Sequence, residues 1–489
     1  MTASRRTEIG IIGAGLTGVG MAIRLRQAGI TDFEILEKAD DVGGTWRDNR
    51  YPGCAVDVQS HLYSYSFAPN PGWSSVYAPR EEIWRYIQDC AERFEVRQHL
   101  RPRHEVQRAD WDDRHHHWIL ETPAGTVHAR FLISAMGPLS QIAIPAIPGL
   151  DSFTGPCFHS ADWDRDHDVT GERVAVIGTG ASAAQVVPAI QPIVQRLSVF
   201  QRTPAWTFPR LNRRITRVEH RLYRRFPILQ RLVRARQYWY RESLATFFHR
   251  SARAKPLEAL MRLRLRFQVR DPALRKQLTP NYRIGCKRII VSDDYHRTFN
   301  SPNVELVTAP ISEVRSRSIV TDDGIERPVD TIVLATGFRP ISVADPLNGR
   351  DGVPLRERWA ERRESYYGTT VAGYPNYFML LGPNTATGHT SVLLLAEAQI
   401  DYIIDCLQHL RRHELSSCEV RPERQDAFTR GLREREAGTV WTSGGCGSWY
   451  LDADGGTSVI WPGYTWEFER PLRRFDPADY VLRRNGTAA

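Results

Sequence analysis

The amino-acid sequence predicts an α/β protein with two strand–turn–helix units of the same type and a helical insert in the second. The first unit, IGIIGAGLTGVG, begins at Ile9, and the second, RVAVIGTGASAAQVV, begins at Arg173. In each unit a glycine-rich turn joins a short apolar run to an apolar stretch of helical spacing. The third observation is the segment 210–280, where the pattern becomes helical and basic.

The glycines of the first turn predict a nucleotide site. Gly13, Gly15 and Gly18 give the spacing GxGxxG, in which the first makes the turn, the second admits a pyrophosphate and the third packs helix on strand. Thr17 lies in the same turn. The next strand, FEILE, ends in Glu37, where a carboxylate binds a ribose 2′-hydroxyl. We predict a Rossmann-like domain for FAD or NAD; an unrelated glycine-rich turn is the alternative.

Residues 43–57, GGTWRDNRYPGCAVD, follow this unit directly. The glycine pair permits close backbone approach, and Trp46 and Tyr51 are suited to lining a planar ring. Asp57 is an acid just past a Pro-Gly turn, and Tyr63 follows close behind it. The segment is therefore a second candidate wall of the same site. A surface loop around a core tryptophan is the alternative interpretation.

The second unit has the spacing GxGxxA but a different strand end. Its next strand, LSVF, leads to Arg202 and Thr203, and no acid stands where Glu37 stands in the first unit. An arginine and a hydroxyl suit a 2′-phosphate, which predicts NADP; an ordinary surface arginine is the alternative. The turn residues expected at this cofactor are Gly178, Thr179, Gly180 and Ser182.

The positive charge of the chain is local. The chain has 65 Lys and Arg against 56 Asp and Glu, a net charge of +9, yet residues 210–276 alone hold 20 basic and 4 acidic side chains. We therefore expect no nucleic-acid partner. In this segment Leu222, Phe226, Leu229 and Val233 fall at helical spacing, which predicts one apolar face. A solvated basic face and contact with an anionic membrane are alternative roles for the segment.

Cysteine usage and hydropathy give further expectations. The seven cysteines are scattered and none forms CxxC, which argues against a disulfide framework, a metal site and a dithiol redox centre. No apolar run reaches about eighteen residues, so we expect no membrane span. The N-terminus enters a strand at once and leaves no room for a signal peptide. The expected location is the cytoplasm.

Two stretches together resemble a known family. The segment FTGPCFHSADWD matches the pattern FxGxxxHxxxW followed by Pro or Asp, with Phe153, Gly155, His159, Trp163 and Asp164. Residues 43–57 match Gly-Gly-x-Trp, then aromatic-Pro-Gly, then Asp. With these motifs the chain resembles the flavin-dependent Baeyer–Villiger monooxygenases over nearly its whole length. The resemblance implies FAD in the first domain, NADPH in the second, and an insert that shapes a substrate tunnel.

The resemblance also implies an activity and residue roles. NADPH reduces FAD, oxygen adds to form a C4a-peroxyflavin, and a ketone substrate becomes an ester or lactone. Arg288 is then catalytic with Asp57 as its partner, Lys287 faces the NADP phosphate, and Trp449, with Trp461 as a competitor, closes over the nicotinamide. The implied FAD-binding residues are Gly13, Gly15, Thr17, Gly18, Glu37, Gly44, Thr45, Trp46, Asp57 and Tyr63.

Domain limits follow from the same motifs. We expect an FAD-binding domain at 1–144 and 333–489, an NADP-binding domain at 145–209 and 281–332, and a basic helical insert at 210–280. Two other activities stay open on the sequence, which are an N- or S-oxygenating flavin monooxygenase and an NADPH-dependent flavin reductase that does not oxygenate. The sequence leaves the particular ketone and the oligomeric state undetermined.

Overall fold

The computed structural model describes residues 4–339 and 346–484, and its largest element is an eight-stranded sheet. Its central strands are parallel and buried, as the apolar runs predict. An antiparallel hairpin extends one side of the sheet. In spatial order the strands are Leu347–Asn348, Arg108–Asp112, His117–Thr122, Gly125–Ser134, Ser4–Ile12, Phe33–Leu36 and Leu100–Arg101, with Tyr377–Met379 also beside Gly125–Ser134.

A second sheet of five strands is parallel throughout. Its order is Val304–Val307, Arg196–Phe200, Arg173–Ile177, Thr331–Leu334 and Cys157–His159. The strand Thr331–Leu334 lies wholly in this sheet, so the expected domain limit at 333 falls inside a strand and belongs after it. The chain crosses between the sheets at the short antiparallel pair Gln141–Ile142 and Phe338–Arg339.

Smaller strands and the helices complete the fold. The remaining strands are Thr207–Phe208 with Ile290–Val291, Ile311–Arg315 with Ser318–Thr321 and Glu326–Pro328, and Ser417–Val420 with Tyr480–Arg483. Outside the insert the α-helices are Leu16–Gln27, Thr45–Asp48, Arg80–Arg93, Ala183–Ile190, Tyr295–Thr298, Leu355–Arg358, Val392–Arg412, Pro422–Glu436, Val440–Ser443 and Thr465–Glu469. Residues 1–3, 340–345 and 485–489 of the predicted FAD-binding domain lie outside the described residues.

The insert is helical, as predicted, but its apolar face is not the one expected. Its helices are Arg217–Arg225, Pro227–Ala245, Lys255–Gln268 and Pro272–Gln277. The first ends where Pro227 begins the second, because proline suits the first helical turn and not a helix interior. Leu222 and Phe226 therefore do not continue one buried stripe with Leu229 and Val233, and both are exposed. Among the described residues, no helix is long and apolar enough to cross a membrane.

One disulfide corrects the expectation drawn from the cysteines. Cys286 and Cys446 form a disulfide bridge across 160 residues of sequence, although neither cysteine lies in a sequence motif that predicts one. Cys286 directly precedes Lys287 and Arg288, and Cys446 lies three residues before Trp449. The bridge therefore ties the glycine-rich C-terminal loop to the segment that carries the predicted catalytic arginine.

Candidate active site

The first glycine-rich turn has the geometry that a bound dinucleotide needs. Gly13 has φ +98°, its N–H donates to the Leu36 carbonyl at 2.8 Å, and a Cβ here would lie 2.8 Å from the Ala135 carbonyl oxygen. A Cβ on Gly18 would overlap the Gly13 carbonyl. Gly15 differs, because its nearest neighbour would be 3.9 Å away. The open side of the turn is therefore the side on which the motif admits a pyrophosphate.

The segment beginning at Gly43 forms a wall beside this turn. The Gly43 N–H donates to the Ala14 carbonyl at 2.9 Å, and Gly44, with φ +48°, approaches Gly15 so closely that its Cβ would lie 3.0 Å from the Gly15 Cα. Glycine is therefore favoured at position 44, where both the positive φ and the close approach disfavour a side chain. Thr45 then opens a short helix with an exposed side chain.

Aromatic and polar side chains complete the first site. The Trp46 indole is buried and donates to the Tyr63 hydroxyl at 3.2 Å, and burial raises the pKa of Tyr63 to about 12. Thr17 is buried, and its hydroxyl donates to the Ala135 carbonyl at 3.4 Å. These side chains are therefore held in place by protein contacts of their own.

Glu37 lies at the end of its strand, as predicted, and its carboxylate is held by the turn. It accepts the N–H of Ala14 at 2.7 Å and of Ala39 at 3.0 Å. Arg47 approaches the same carboxylate at 3.4 Å. The acid is thus next to the turn, and its bond to a ribose hydroxyl remains a prediction.

Arg288 and Asp57 meet in an ion pair, although 231 residues separate them in sequence. The Arg288 Nη2 donates to the Asp57 Oδ2 at 2.5 Å. Burial alone would raise the pKa of Asp57, but Arg288, with Arg241 behind it, holds that pKa below its usual range. The Asp57 carboxylate in turn raises the pKa of Arg288. The guanidinium is therefore a permanent cation, and 42% of its side-chain surface remains accessible.

The fold brings this pair together through the loop that precedes Asp57. The Tyr51 hydroxyl donates to the Gln185 Oε1 at 3.1 Å, and the Gln185 amide donates to the Ala55 carbonyl at 2.9 Å. Gly53, with φ +80°, approaches the Gln185 carbonyl so closely that a Cβ would lie 2.7 Å from it. Gln185 belongs to the helix of the second glycine-rich unit. The loop of the first domain is therefore fastened to the second domain beside Arg288.

The second glycine-rich turn repeats the geometry of the first. Gly178 has φ +118° and its N–H donates to the Phe200 carbonyl at 3.1 Å, while Gly180 has no atom within 4 Å of an added Cβ. The Thr179 hydroxyl donates to the Thr203 carbonyl at 3.0 Å. Ser182 is the residue before the helix Ala183–Ile190. In this turn, too, protein atoms pack closely against the first glycine, whereas the space beside the second glycine is open.

Arg202 and Lys287 form a pair of neighbouring cations. Burial and the charge of Arg202 lower the pKa of Lys287. Arg202 is exposed, and in the part of the chain that the structure describes it has no carboxylate partner. The ammonium of Lys287 lies 5.3 Å from the centre of the Tyr282 ring. Two adjacent cations without an acid fit a 2′-phosphate.

The signature loop lies along the edge of the second sheet. His159 ends the strand Cys157–His159 and is buried, and its Nδ1 accepts the Ala161 N–H at 3.1 Å. Burial lowers the pKa of His159. Gly155 packs against the Asp330 carbonyl and leaves no room for a Cβ, while Phe153 packs in the core of the second domain. The loop is therefore rigid, and none of these side chains reaches Arg288 by a hydrogen bond.

The end of this loop and the C-terminal tryptophans lie in different surroundings. Trp163 packs on Phe158, and the exposed Asp164 accepts the Asp166 N–H at 3.0 Å. Trp449 is 41% exposed and rests on Tyr450, whereas Trp461 is only 3% exposed. Only the first of these two tryptophans is free to cover a neighbouring ligand, and that role of Trp449 remains a prediction.

Three comparisons place this geometry among known proteins. A family described as "Pyridine nucleotide-disulphide oxidoreductase" matches residues 10–222. A Baeyer–Villiger monooxygenase of Streptomyces coelicolor is 46% identical over 98% of this chain and 93% of its own length, and one of Pseudomonas aeruginosa is 43% identical over 100% and 93%. The solved structure of OTEMO in complex with FAD and NADP is 28% identical, has a TM-score of 0.87, and covers 97% of this chain and 99% of its own.

The chain belongs to the Baeyer–Villiger monooxygenase family. Membership confirms the predicted fold class and enzyme class, and it decides against the N- or S-oxygenating and non-oxygenating alternatives.

Two residues near Arg288 in this Baeyer–Villiger monooxygenase were missed by sequence reasoning. Tyr450 is buried; burial raises its pKa, and the positive charge of nearby Arg288 offsets part of that rise. Arg241 donates to the Gln59 Oε1 at 2.9 Å and to the Asp57 carbonyl at 3.3 Å. Tyr450 could have been suspected because it follows Trp449 in the glycine-rich loop. Arg241 carries no such signal, since it is one of many arginines.

Proposed function

We propose that this enzyme inserts one oxygen atom of O₂ next to a ketone carbonyl and releases an ester or lactone, with NADPH as reductant. The observation that carries the proposal is the ion pair of Arg288 and Asp57, placed where the two glycine-rich domains meet. A fixed cation at this junction is suited to the negative charge that develops on the reacting oxygens.

The residues present fit the two cofactors. FAD would be held by the turn Gly13–Gly18, by Glu37 at the ribose, and by the wall from Gly44 to Trp46 with Thr17, Asp57 and Tyr63 nearby. NADPH would be held by Gly178, Thr179, Gly180 and Ser182 at the pyrophosphate and by Arg202, Thr203 and Lys287 at the 2′-phosphate. The flavin supplies the oxygen-activating chemistry, and NADPH supplies the electrons.

The protein's own part in the reaction is electrostatic. Arg288 presents donors that do not lose their protons, because the pKa of a guanidinium lies far above any working pH. Asp57 holds that guanidinium in one orientation, and Tyr450 covers it from the C-terminal loop. The role of the signature loop is positional, since His159 is buried and accepts a hydrogen bond from the backbone N–H of Ala161.

The insert is the candidate wall of the substrate tunnel. Its helix Pro227–Ala245 reaches the site through Arg241, which donates to the backbone of Asp57 and to the side chain of Gln59. A ketone entering beside this helix would come directly to Arg288. The proposed substrate is accordingly a ketone that fits between this helix and the Arg288–Asp57 pair.

We place the enzyme in the cytoplasm, where NADPH is supplied. Disulfides are uncommon in that reducing compartment. The Cys286–Cys446 bridge would be an exception there.

The experiment that tests this function measures NADPH consumption by the FAD-loaded protein against a panel of cyclic and linear ketones. Product mass spectra in air should show a gain of one oxygen atom, and the same mixtures without O₂ should reduce the flavin and stop. NADPH turnover with every ketone recovered unchanged would contradict the proposal. An amine and a sulfide in the same panel report whether oxygen goes to a heteroatom instead.

A further inference from the structure

The insert helix Pro227–Ala245 buries several polar residues and leaves several large apolar residues exposed. Its polar residues Gln230, Arg234, Arg241 and Glu242 face the protein and are buried or partly buried. A surface helix of a globular protein normally buries its apolar residues and exposes its polar ones. Leu229, Val233 and Tyr238 pack toward the core, yet the helix still leaves a second group of large apolar side chains exposed.

The inward contacts hold the helix in this orientation. The Arg234 Nη1 donates to the carbonyls of His61 at 2.6 Å and Ser64 at 2.9 Å, and the Gln230 amide donates to the Asn70 carbonyl at 2.8 Å. Glu242 accepts from His389 at 3.2 Å. Rotating the helix about its axis would break these hydrogen bonds. Buried donors and acceptors would then lack partners, which lowers the stability of the fold.

The outer face is apolar and contains aromatic residues. Ile228, Leu232, Trp239 and Tyr240 are 58%, 59%, 63% and 56% exposed, and their spacing places them on one side of the helix. The preceding helix packs against this one and adds Leu222, and Phe226 between the two helices is exposed as well. We call the set the outer face, and its members are Leu222, Phe226, Ile228, Leu232, Trp239 and Tyr240. Several large exposed apolar side chains on one side of a helix indicate an interaction site.

The charge around the outer face is of one sign. Arg221, Arg224, Arg225, Arg231 and Arg236 are exposed, and among residues 4–339 and 346–484 none of them has a carboxylate partner.

All four acids of the segment 210–276 are engaged elsewhere. Glu219 caps its own helix and pairs with Arg213, and Asp271 caps the helix that follows it. Glu242 and Glu258 are buried, and Glu258 pairs with Arg283. No acid of this segment is therefore left to neutralise the arginines around the outer face.

We propose that the outer face binds the surface of an anionic lipid bilayer, with the helix lying in the plane of that surface. Apolar side chains enter the acyl boundary, Trp239 and Tyr240 lie at headgroup depth, and the arginines meet lipid phosphates. A second copy of the chain fits less well, because a twofold interface would set these arginines against one another. Nucleic acid would satisfy the arginines but would leave the isoleucine and leucines exposed.

Vesicle flotation of the FAD-loaded enzyme tests the proposal. Vesicles of phosphatidylcholine with an equal amount of phosphatidylglycerol should bind the protein roughly tenfold more tightly, or better, than phosphatidylcholine alone. The double variant Leu232→Glu/Trp239→Glu should lose at least about tenfold in binding, since it removes two exposed apolar side chains and adds like charge to the lipid. NADPH turnover with a water-soluble ketone should not change, which shows that the variant folds.

The matched control is Ile325→Glu, a change at an equally exposed apolar residue outside the insert, and it should bind vesicles as the wild type does. Equal binding to neutral and anionic vesicles, or unchanged binding by the double variant, would overturn the proposal. A dimer in sedimentation that the double variant abolishes would assign the outer face to a second copy instead. Salt-sensitive binding to duplex DNA that survives the double variant, without vesicle binding, would assign the arginines to nucleic acid.

Discussion

The side chains that carry the proposed chemistry are charged groups whose partners the fold selects. Arg288 is neutralised in part by Asp57 and still has accessible donors, whereas Arg202 and Lys287 have each other as neighbours and no acid. The first arrangement suits a charge that develops during a reaction, and the second suits a charge that is always present on a ligand.

Replacing Arg288 should separate reduction from oxygenation. Arg288→Ala should still bind FAD and oxidise NADPH, because those steps do not need a cation beside Asp57. Ester formation should fall by about 10²–10³, the usual loss when one preorganised charge is removed, and the NADPH consumed should appear as hydrogen peroxide. Arg288→Lys should recover little, because a point charge does not reproduce the planar fork. Product yield per NADPH is the measurement, and near-normal ester formation by Arg288→Ala would mean that another arginine supplies the charge.

Replacing Arg202 should discriminate between the two nicotinamide coenzymes. Arg202→Ala should raise the KM for NADPH by about tenfold to a hundredfold, the cost of one charge-assisted contact. The KM for NADH should change little, since NADH has no 2′-phosphate. Arg317→Ala, at an exposed arginine in the turn between the strands Ile311–Arg315 and Ser318–Thr321, is the control. Equal effects of Arg202→Ala on both coenzymes would remove Arg202 from the site.

Two elements far in sequence from both glycine-rich turns border the site, and each is fastened by a small number of contacts. The insert helix Pro227–Ala245 is tied to the loop of residues 57–70 by Gln230, Arg234 and Arg241. The glycine-rich C-terminal loop is tied to the Lys287–Arg288 segment by the Cys286–Cys446 bridge and by Tyr450.

The contact between the insert helix and His61 should make stability depend on pH. His61 accepts from the Gln230 amide at 3.1 Å, and burial, with Arg234 nearby, lowers its pKa from 6.5 to about 4. Between pH 6.5 and about 4, His61 therefore binds a proton in the unfolded chain but not in the folded chain. Stability consequently falls as the pH falls through that window. Between pH 7.5 and 5.5 the loss from this residue should be roughly 1 kcal/mol.

Thermal midpoints of the FAD-loaded enzyme at the two pH values measure this effect. His61→Asn should be less stable at neutral pH but should show a smaller drop on acidification. The exposed His413 provides the control His413→Asn, in which the drop should match that of the wild type. An unchanged drop in His61→Asn would mean that other groups control the acid sensitivity.

Breaking the bridge should loosen the C-terminal loop without removing a catalytic group. Cys286→Ser should lower the thermal midpoint, since a cross-link that closes a long loop typically contributes about 2–4 kcal/mol. It should also raise the hydrogen peroxide released per NADPH, because Tyr450 covers Arg288 from this loop. Cys157→Ser, at an exposed free cysteine, is the matched control. Identical midpoints for wild type, reduced wild type and Cys286→Ser would show that the bridge has no such role.

At the scale of the whole molecule, two domains of one design are the proposed sites of two different cofactors. At the second glycine of each turn, an added side chain would not collide with other protein atoms but would collide with the bound cofactor. An added Cβ has nothing nearer than 3.9 Å at Gly15 and nothing within 4 Å at Gly180. Neither glycine has a positive φ, so alanine is tolerated by the backbone at both.

This matched pair of glycines tests the assignment of FAD and NADPH to the two domains. Gly15→Ala should purify with less FAD and keep the KM for NADPH, while Gly180→Ala should keep its FAD and raise that KM, each by about tenfold or more for a lost close contact. Gly13→Ala is the contrast, because its φ of +98° and the nearby Ala135 carbonyl make any side chain there strained. Loss of both cofactors in both variants would mean that the domains do not bind independently.

Local patterns in the sequence were sufficient to predict the two glycine-rich units, the helical insert and most of the candidate site. These features are local, because turn glycines, apolar periodicity and the acid or arginine at a strand end all act over a few residues. Gly13, Glu37, Gly178 and Arg202 could therefore be assigned from the residues around them. The signature loop and the Lys287–Arg288 pair were reached through family resemblance.

Which distant groups meet was determined by the tertiary fold. The bond between Arg288 and Asp57, the cover by Tyr450 and the bridge between Cys286 and Cys446 join positions that lie far apart in the chain. The orientation of Pro227–Ala245 was likewise set by its inward contacts, which bury Gln230 and Arg241 beside the apolar residues Leu229 and Val233. Leu222 and Phe226, which the periodicity placed on the same face, remain exposed. Periodicity reveals which residues share a face, but the groups packed opposite determine which face is buried.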